Sequence, residues 1–327
     1  YLREHTALTR WQMYPWHEVP FDYGQDYSGT LGASRGAVSG LSVPGGATVC
    51  GYESGMSVGI NGDIVIHCHY SSPRTTNKKF VGASDSNDTA KYKPLEFAGR
   101  CETALSGQIH IWDKYGKLKS HDVVGGTDKT EGIQIDKDDN IFMMASAGRL
   151  IEGKKIDGAS STMIKFRKGS KGRFLTPGNV ILPMTPAETP KRPQEIAGKW
   201  VENYEWIYGG IGFDGFNSPG YCACWYVRWK LDNFARSIVP APMLYEVHVV
   251  DSAGNLILKI GQYGNDDSKG KNSKEPLGGD EVGLFHPCFV GTDTDHRVFI
   301  SDVGTDKILS VKLKYVVDET LPLRIIK

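Results

Sequence analysis

The sequence predicts an all-β protein. It reads as a β-propeller of four-stranded antiparallel blades, at least four recognisable and five to seven in the complete protein, with long insertions. Three observations carry this. Short apolar runs recur, joined by small turns rich in Asp, Asn and Gly, a pattern of antiparallel meanders rather than βαβ units. The turn between the first two strands of a unit recurs at Asn61, Asp136, Asp232 and Asp293, each followed by an apolar strand. A longer match aligns Ile109-His-Ile-Trp-Asp113-x-x-Gly116-Lys-Leu118 with Val247-His-Val-Val-Asp251-x-x-Gly254-Asn-Leu256. It fixes a strand, an Asp, a Gly and a Leu at the same offsets in two remote places.

Composition agrees with this class. The 327 residues suffice for a large core and suit a single closed all-β array. Thirty-eight basic residues balance 38 acidic ones, so charge gives no case for nucleic acid or an anionic membrane as partner. The 39 glycines fit a chain made of tight turns. No apolar run approaches the ~18 residues that span a bilayer. The chain begins at Tyr1 without a secretory signal, which reads as a processed product, a trimmed form or a piece of a longer polypeptide. Its six cysteines are scattered and lack a CxxC pair. They read as buried thiols or one or two disulfides of an exported protein, with a metal site as the alternative.

Residues 1–55 hold six aromatic side chains from Trp11 to Tyr27 among prolines and glycines, too many for a disordered segment. They are expected to form a covering segment or the remnant of preceding blades, ahead of a propeller over 56–327 with insertions at 71–100 and 177–219. The first repeat runs Met56 to Ile60, an Asn61-Gly62 turn, then Asp63 to Tyr70; Ile109 to Trp112 and Lys117 to Val123 complete it after the polar insertion. The second runs Gly132 to Ile135 and Ile141 to Ala145, with an outer hairpin expected from Thr162–Arg167 into Arg173–Leu175. Within 177–219, a degenerate blade or an insertion, Glu195 to Tyr204 offers the one plausible helical face. The third repeat spans Cys224 to Ile260 and the fourth Glu281 to Tyr315, which lacks a last strand. The turn spacings are 75 (136−61), 96 (232−136) and 61 (293−232). All exceed the ~45 residues of an undecorated blade, so insertions separate strands.

Phe285 to Val311, FHPCFVGTDTDHRVFISDVGTDKILSV, resembles an NHL repeat, with its Phe-x-Pro start, central turn, and apolar strand closing on Asp302. Val247 to Ile260 resembles the outer hairpin of the same module. The resemblance is clear over the last hundred or so residues and fair over Met56 to Leu175. It implies a β-propeller, a fold whose members bind protein, RNA or small molecules and in a minority, such as the amidating lyases, act as enzymes.

In such a blade the start of the innermost strand and the end of the second strand meet at one mouth near the axis, where ligands bind. That rule gathers Glu131, His286 and Asp302 as ligand candidates, and Arg228 joins them on its own account. Arg228, set among Trp225, Tyr226 and Trp229, is either stacked and paired structurally or an anion clamp. His67 and His69 share one side of a strand, as do Cys222 and Cys224, and two such pairs offer a zinc or copper set. Glu131, opening a strand as Glu-Gly, resembles the calcium-binding Glu of propeller lactonases, whose Asn and Asp ligand motifs are not evident here. The expectation is an exported, non-catalytic binding or structural module, extracellular, cell-surface or periplasmic. Its partner is expected to be a protein or another copy of itself, with a small molecule or glycan as ligand. The rival is a metal-dependent lyase or hydrolase at the same mouth.

Overall fold

One turn of five residues is used again and again. At Asp136, Asp232, Asp251 and Asp293, carboxylate Oδ1 accepts the backbone N–H groups two and four residues on, at 2.8–2.9 Å. Asp suits this place because its short side chain reaches its own following backbone. The fourth residue of each turn has positive φ: Asp139, Ala235, Gly254 and His296. Gly59 to Asp63 closes by the same backbone bonds, Gly59 N–H to Asp63 O and Gly62 N–H to Gly59 O, with Gly62 at φ 83°. The first turn therefore begins at Gly59, two residues before the expected Asn61.

The structure is a computed structural model and describes residues 55–68, 107–114, 118–127, 130–156, 161–176, 180–181, 185–186, 189–212, 227–264 and 282–313. The turns link strands into antiparallel meanders in chain order. The first sheet holds Met56–Val58, Ile64–Cys68, Gly107–Trp112 and Leu118–Thr127; the second holds Thr130–Ile135, Ile141–Ala145, Ser161–Phe166 and Trp206–Ile211. The third holds Lys230–Leu231, Ser237–Ala241, Glu246–Val250 and Leu256–Ile260; the fourth holds Pro287–Thr292, Arg297–Asp302 and Lys307–Lys312. Among the described residues the helical content is a single 3-10 turn, Pro242–Leu244.

The long internal match is reproduced in register. Trp112 pairs with Leu118 and Val250 with Leu256, and a bulge precedes each pair at the same place, between Ile111 and Trp112 and between Val249 and Val250. Two expectations are corrected. Ser161–Phe166 does not pair with Gly172–Leu175; its outer partner is Trp206–Ile211, which completes the second sheet. Gly172–Leu175 instead runs parallel to Leu118–Thr127 and pairs on its other side with Trp200–Glu202, extending the first sheet to six strands. The helical face expected over Glu195 to Tyr204 is an isolated bridge between Ile196 and Lys199 followed by that strand. Trp200 and Val201 are both buried by sheet packing, and a short strand buries them as well as a helix would.

The sheets stack face to face. Along Ile141–Ala145, residues Ile141, Met143 and Ala145 pack on Val65, Ile109 and Ile111 of the first sheet, while Phe142 and Met144 pack on Val239 of the third and on Val227 and Trp229 just before its first strand. This period of two, with both faces covered, makes the whole strand buried and apolar. Ile238, Val247 and Val249 of the third sheet meet Val298 and Ile300 of the fourth in the same way. The inner turns Gly59–Asp63, Asp136–Asn140, Asp232–Arg236 and Asp293–Arg297 all line one cavity of about 720 Å³. Successive antiparallel sheets packed face to face, with their inner turns around one cavity, make a propeller-like arrangement.

Candidate functional site

Antiparallel pairing puts the start of each inner strand beside the end of the second strand: Met56 opposite Ile66, Thr130 opposite Ala145, Pro287 opposite Asp302. This end of the sheets, opposite the turn-lined cavity, is where those predicted residues that the structure describes fall.

Glu131 follows Thr130, whose hydroxyl donates to the Met144 carbonyl, and precedes Gly132 at φ 132°. The Glu131 side chain is buried, with 1% of its surface exposed. Its Oε1 accepts the Ser161 hydroxyl at 2.5 Å, while Oε2 has no hydrogen-bond partner among the described residues. Burial pushes its pKa up to about 7, against the opposing pull of Ser161, the Arg228 charge, the Ser146 hydroxyl and the Val227 backbone. The Ser146 hydroxyl that pulls on Glu131 is itself buried and makes no close hydrogen bond among the described residues. The backbone also approaches closely: a Cβ added to Gly212, at φ 73°, would lie 3.3 Å from Oε2 and 2.5 Å from Ser161 Cβ.

Arg228 stands between the third and fourth sheets. Its N–H donates to Cys288 O at 2.8 Å and its carbonyl accepts Val290 N–H at 3.1 Å, a parallel bridge that stitches the two sheets together. Its guanidinium donates to Val227 O at 2.9 Å. Asp302 is fully buried, and its carboxylate accepts three backbone N–H groups, from Phe285 at 2.6 Å, His286 at 2.8 Å and Gly304 at 3.0 Å. It fixes the entry of the chain into Pro287–Thr292. His286 is half-buried, and burial lowers its pKa although the nearby Asp302 charge works the other way. Cys288 is a buried free thiol, pushed up to about 12 by burial and by the charges of Asp302 and Glu131. It is a neutral thiol at neutral pH and a poor nucleophile.

Glu131, Arg228, His286 and Asp302 all lie toward this end of the sheets. Electrostatic coupling links Glu131 with Arg228, and Cys288 with both Asp302 and Glu131. Of the expected metal ligands, His67 is buried with Nε2 2.6 Å from Thr127 Oγ1; His69, Cys222 and Cys224 lie outside the described residues. Among the described residues no group of three or more His, Cys, Asp or Glu is placed to hold a metal ion. Sequence reasoning missed Ser161. The signal was there: the third strand of a meander starts beside the end of the second, so its first residue reaches the same mouth.

Comparison with known proteins adds little. No family model matches the chain, and no curated protein matches it. Among solved structures it is similar to a streptogramin B lyase, at 10% identity and TM-score 0.28 over 79% of this chain and 53% of that one. A pyranose dehydrogenase PQQ domain from Coprinopsis cinerea gives 12% and 0.33, over 77% and 67% of the two chains. An auxiliary nutrient binding protein from Bacteroides ovatus gives 12% and 0.31, over 81% and 61%. The chain spans about half the length of that lyase. Similarities this low carry no argument about chemistry, and the architecture rests on the sheets themselves.

Proposed function

We propose that the chain is a non-catalytic binding module, exported and part of a larger surface assembly, whose propeller takes a small hydroxyl-bearing ligand at the mouth around Glu131. The observation that carries this is a buried carboxyl with only one oxygen closely hydrogen-bonded among the described residues. A buried acid in a purely structural role has both oxygens satisfied. Glu131 has one oxygen bonded to Ser161 and the other without a close hydrogen bond among the described residues, in a site that also feels the Ser146 hydroxyl, the Val227 backbone and the Arg228 charge. Groups that would serve covalent chemistry are committed elsewhere: Asp302 holds backbone N–H groups and Cys288 stays protonated. What remains is a hydrogen-bonding niche suited to a polyol or the end of a glycan.

Calorimetric titration with erythritol and with D-glucose tests this. Binding of either, lost in Glu131→Gln, is the expected result; no heat from either, or binding indifferent to Glu131→Gln, overturns it. The rival metal-dependent lyase or hydrolase is separated by elemental analysis of the purified protein. Stoichiometric zinc or copper lost on Cys222→Ser would favour the rival.

A further inference from the structure

The cavity at the other end of the sheets is built differently from the Glu131 mouth. From Glu131 to Asp136 the strand rises by about 17 Å, so the two ends are separate sites. The walls of the cavity are charged, but nearly every charge is spent. Asp136, Asp232 and Asp293 accept the backbone N–H groups of their own turns. Asp138 pairs with Lys137, and Lys165 with Glu205. Arg236 pairs with Asp232, and Arg297 with Asp295. Lys230 is the exception. It lines the cavity half-buried, on the short inner strand Lys230–Leu231, and makes no ion pair or side-chain hydrogen bond among the described residues.

The same cavity also holds an aromatic side chain that the turn does not need. The position two residues after the turn's first residue is Asn61, Asp138, Ala253 or Asp295 elsewhere, small or polar in every case. In the third sheet it is Phe234, 63% exposed at the cavity. The turn closes through the Asp232 carboxylate and the backbone, with no use of that ring. His296, from the corresponding turn of the fourth sheet, lies nearly parallel to it, with ring centroids 6.1 Å apart and planes at 24°. The Arg236 guanidinium sits 4.9 Å from the Phe234 centroid. Two rings from adjacent sheets thus form a ledge over a floor of Ile135, Leu231 and Ile238.

We infer that this cavity is a second binding site, for a ring-shaped carboxylate whose charge pairs with Lys230 and whose ring packs on the Phe234–His296 ledge. Two kinds of molecule share that chemistry, a hexuronic acid unit of an acidic glycan and a simple aromatic acid. The cation supplies the charge-assisted bond and the aromatic ledge the stacking surface.

Ligand-observed NMR and calorimetry with D-glucuronate, benzoate and uncharged D-glucose test the inference. Binding of at least one carboxylate is expected, weakened about tenfold or more in Lys230→Gln and in Phe234→Ala. Neither side chain makes a hydrogen bond or ion pair among the described residues and the Phe234 ring is 63% exposed, so both variants should keep a melting temperature close to wild type. Glucuronate or benzoate binding identifies which source fits. The inference fails if neither carboxylate binds, if glucose binds as tightly as glucuronate, or if Lys230→Gln leaves affinity unchanged. Glu131→Gln separates the two sites. Glucuronate affinity that falls in Glu131→Gln and not in Lys230→Gln would place the ligand at the opposite mouth, sinking this inference and not the proposed function.

Discussion

Glu131 and Asp302 are both buried carboxyls at one end of the sheets, and they differ in how their oxygens are satisfied. Asp302 collects three backbone N–H groups. Removing it in Asp302→Ala strands those donors at the entry to the fourth sheet and should cost about 3 kcal/mol in chemical denaturation. Asp302→Asn keeps the Oδ1 bonds to His286 and Gly304 and should cost about half as much; equal losses would mean the charge matters and the geometry does not. Glu131 behaves otherwise, because burial raises its pKa from the ordinary 4.5 to about 7. The folded state then holds the proton more tightly than the unfolded one. Stability from this group is complete below pH 4.5, declines as pH rises through 4.5 to 7, and is level above that. The span corresponds to about 3 kcal/mol. Glu131→Gln should therefore gain stability relative to wild type across that window, read from denaturation midpoints at pH 4.5 and pH 7.5. A difference between the two proteins that stays constant with pH would show that the carboxyl is solvated.

At the scale of single elements, the five-residue turn explains which glycines matter. Gly254 and Gly169 both have positive φ, 90° and 73°, so alanine strains either backbone by about 1 kcal/mol. Only at Gly254 does a Cβ meet a neighbour, 2.8 Å from Cγ of Trp206, whose indole donates to Ser252 O in the same turn; around Gly169 nothing lies within 4 Å. Thermal unfolding should thus separate Gly254→Ala, at a cost of about 2–3 kcal/mol, from Gly169→Ala, at about 1 kcal/mol. These turns were legible in the sequence because Asp and the positive-φ residue are set by local chemistry, and so was the register shared by Asp113 and Asp251. Trp206–Ile211 was not legible as the second sheet's fourth strand. WIYGGI lies after a proline-rich stretch, and its partner is chosen by which edge is open rather than by any nearby turn. Similarly, the parallel pairing of Gly172 with Val124 depends on two sheets meeting, which no local pattern encodes. Strand direction in the sequence was enough to set Glu131, His286 and Asp302 toward one end of the sheets. What each residue does there was not legible, because Asp302's three bonds and Glu131's one-sided bonding arise from packing.

For the whole molecule, stacking makes position in the series decide stability. The second sheet is covered on both faces, and Ile141–Ala145 and Ser161–Phe166 are buried at every residue. The fourth is covered on one face only among the described residues. There Val298 and Ile300 pack inward, while Phe299 is partly exposed and Ile308 is 77% exposed on the other side. Backbone hydrogen bonds open to exchange either by global unfolding or by local opening, and the cost of local opening grows with the apolar surface it uncovers. Amides of Ile141–Ala145 and Ser161–Phe166 should therefore exchange at the rate of global unfolding. Those of Lys307–Lys312 should exchange faster by local separation of the fourth sheet's outer strand. Phe142→Ala, which empties the contact with Trp206 between the second and third sheets, should cost about 3–5 kcal/mol and accelerate exchange in both. Phe299→Ala should cost about 1 kcal/mol and leave the second sheet's protection unchanged. If hydrogen-exchange mass spectrometry instead found Lys307–Lys312 as protected as Ile141–Ala145, with Phe299→Ala as costly as Phe142→Ala, the outer face of the fourth sheet would be buried. Residues outside the described ones, or a partner, would then cover it.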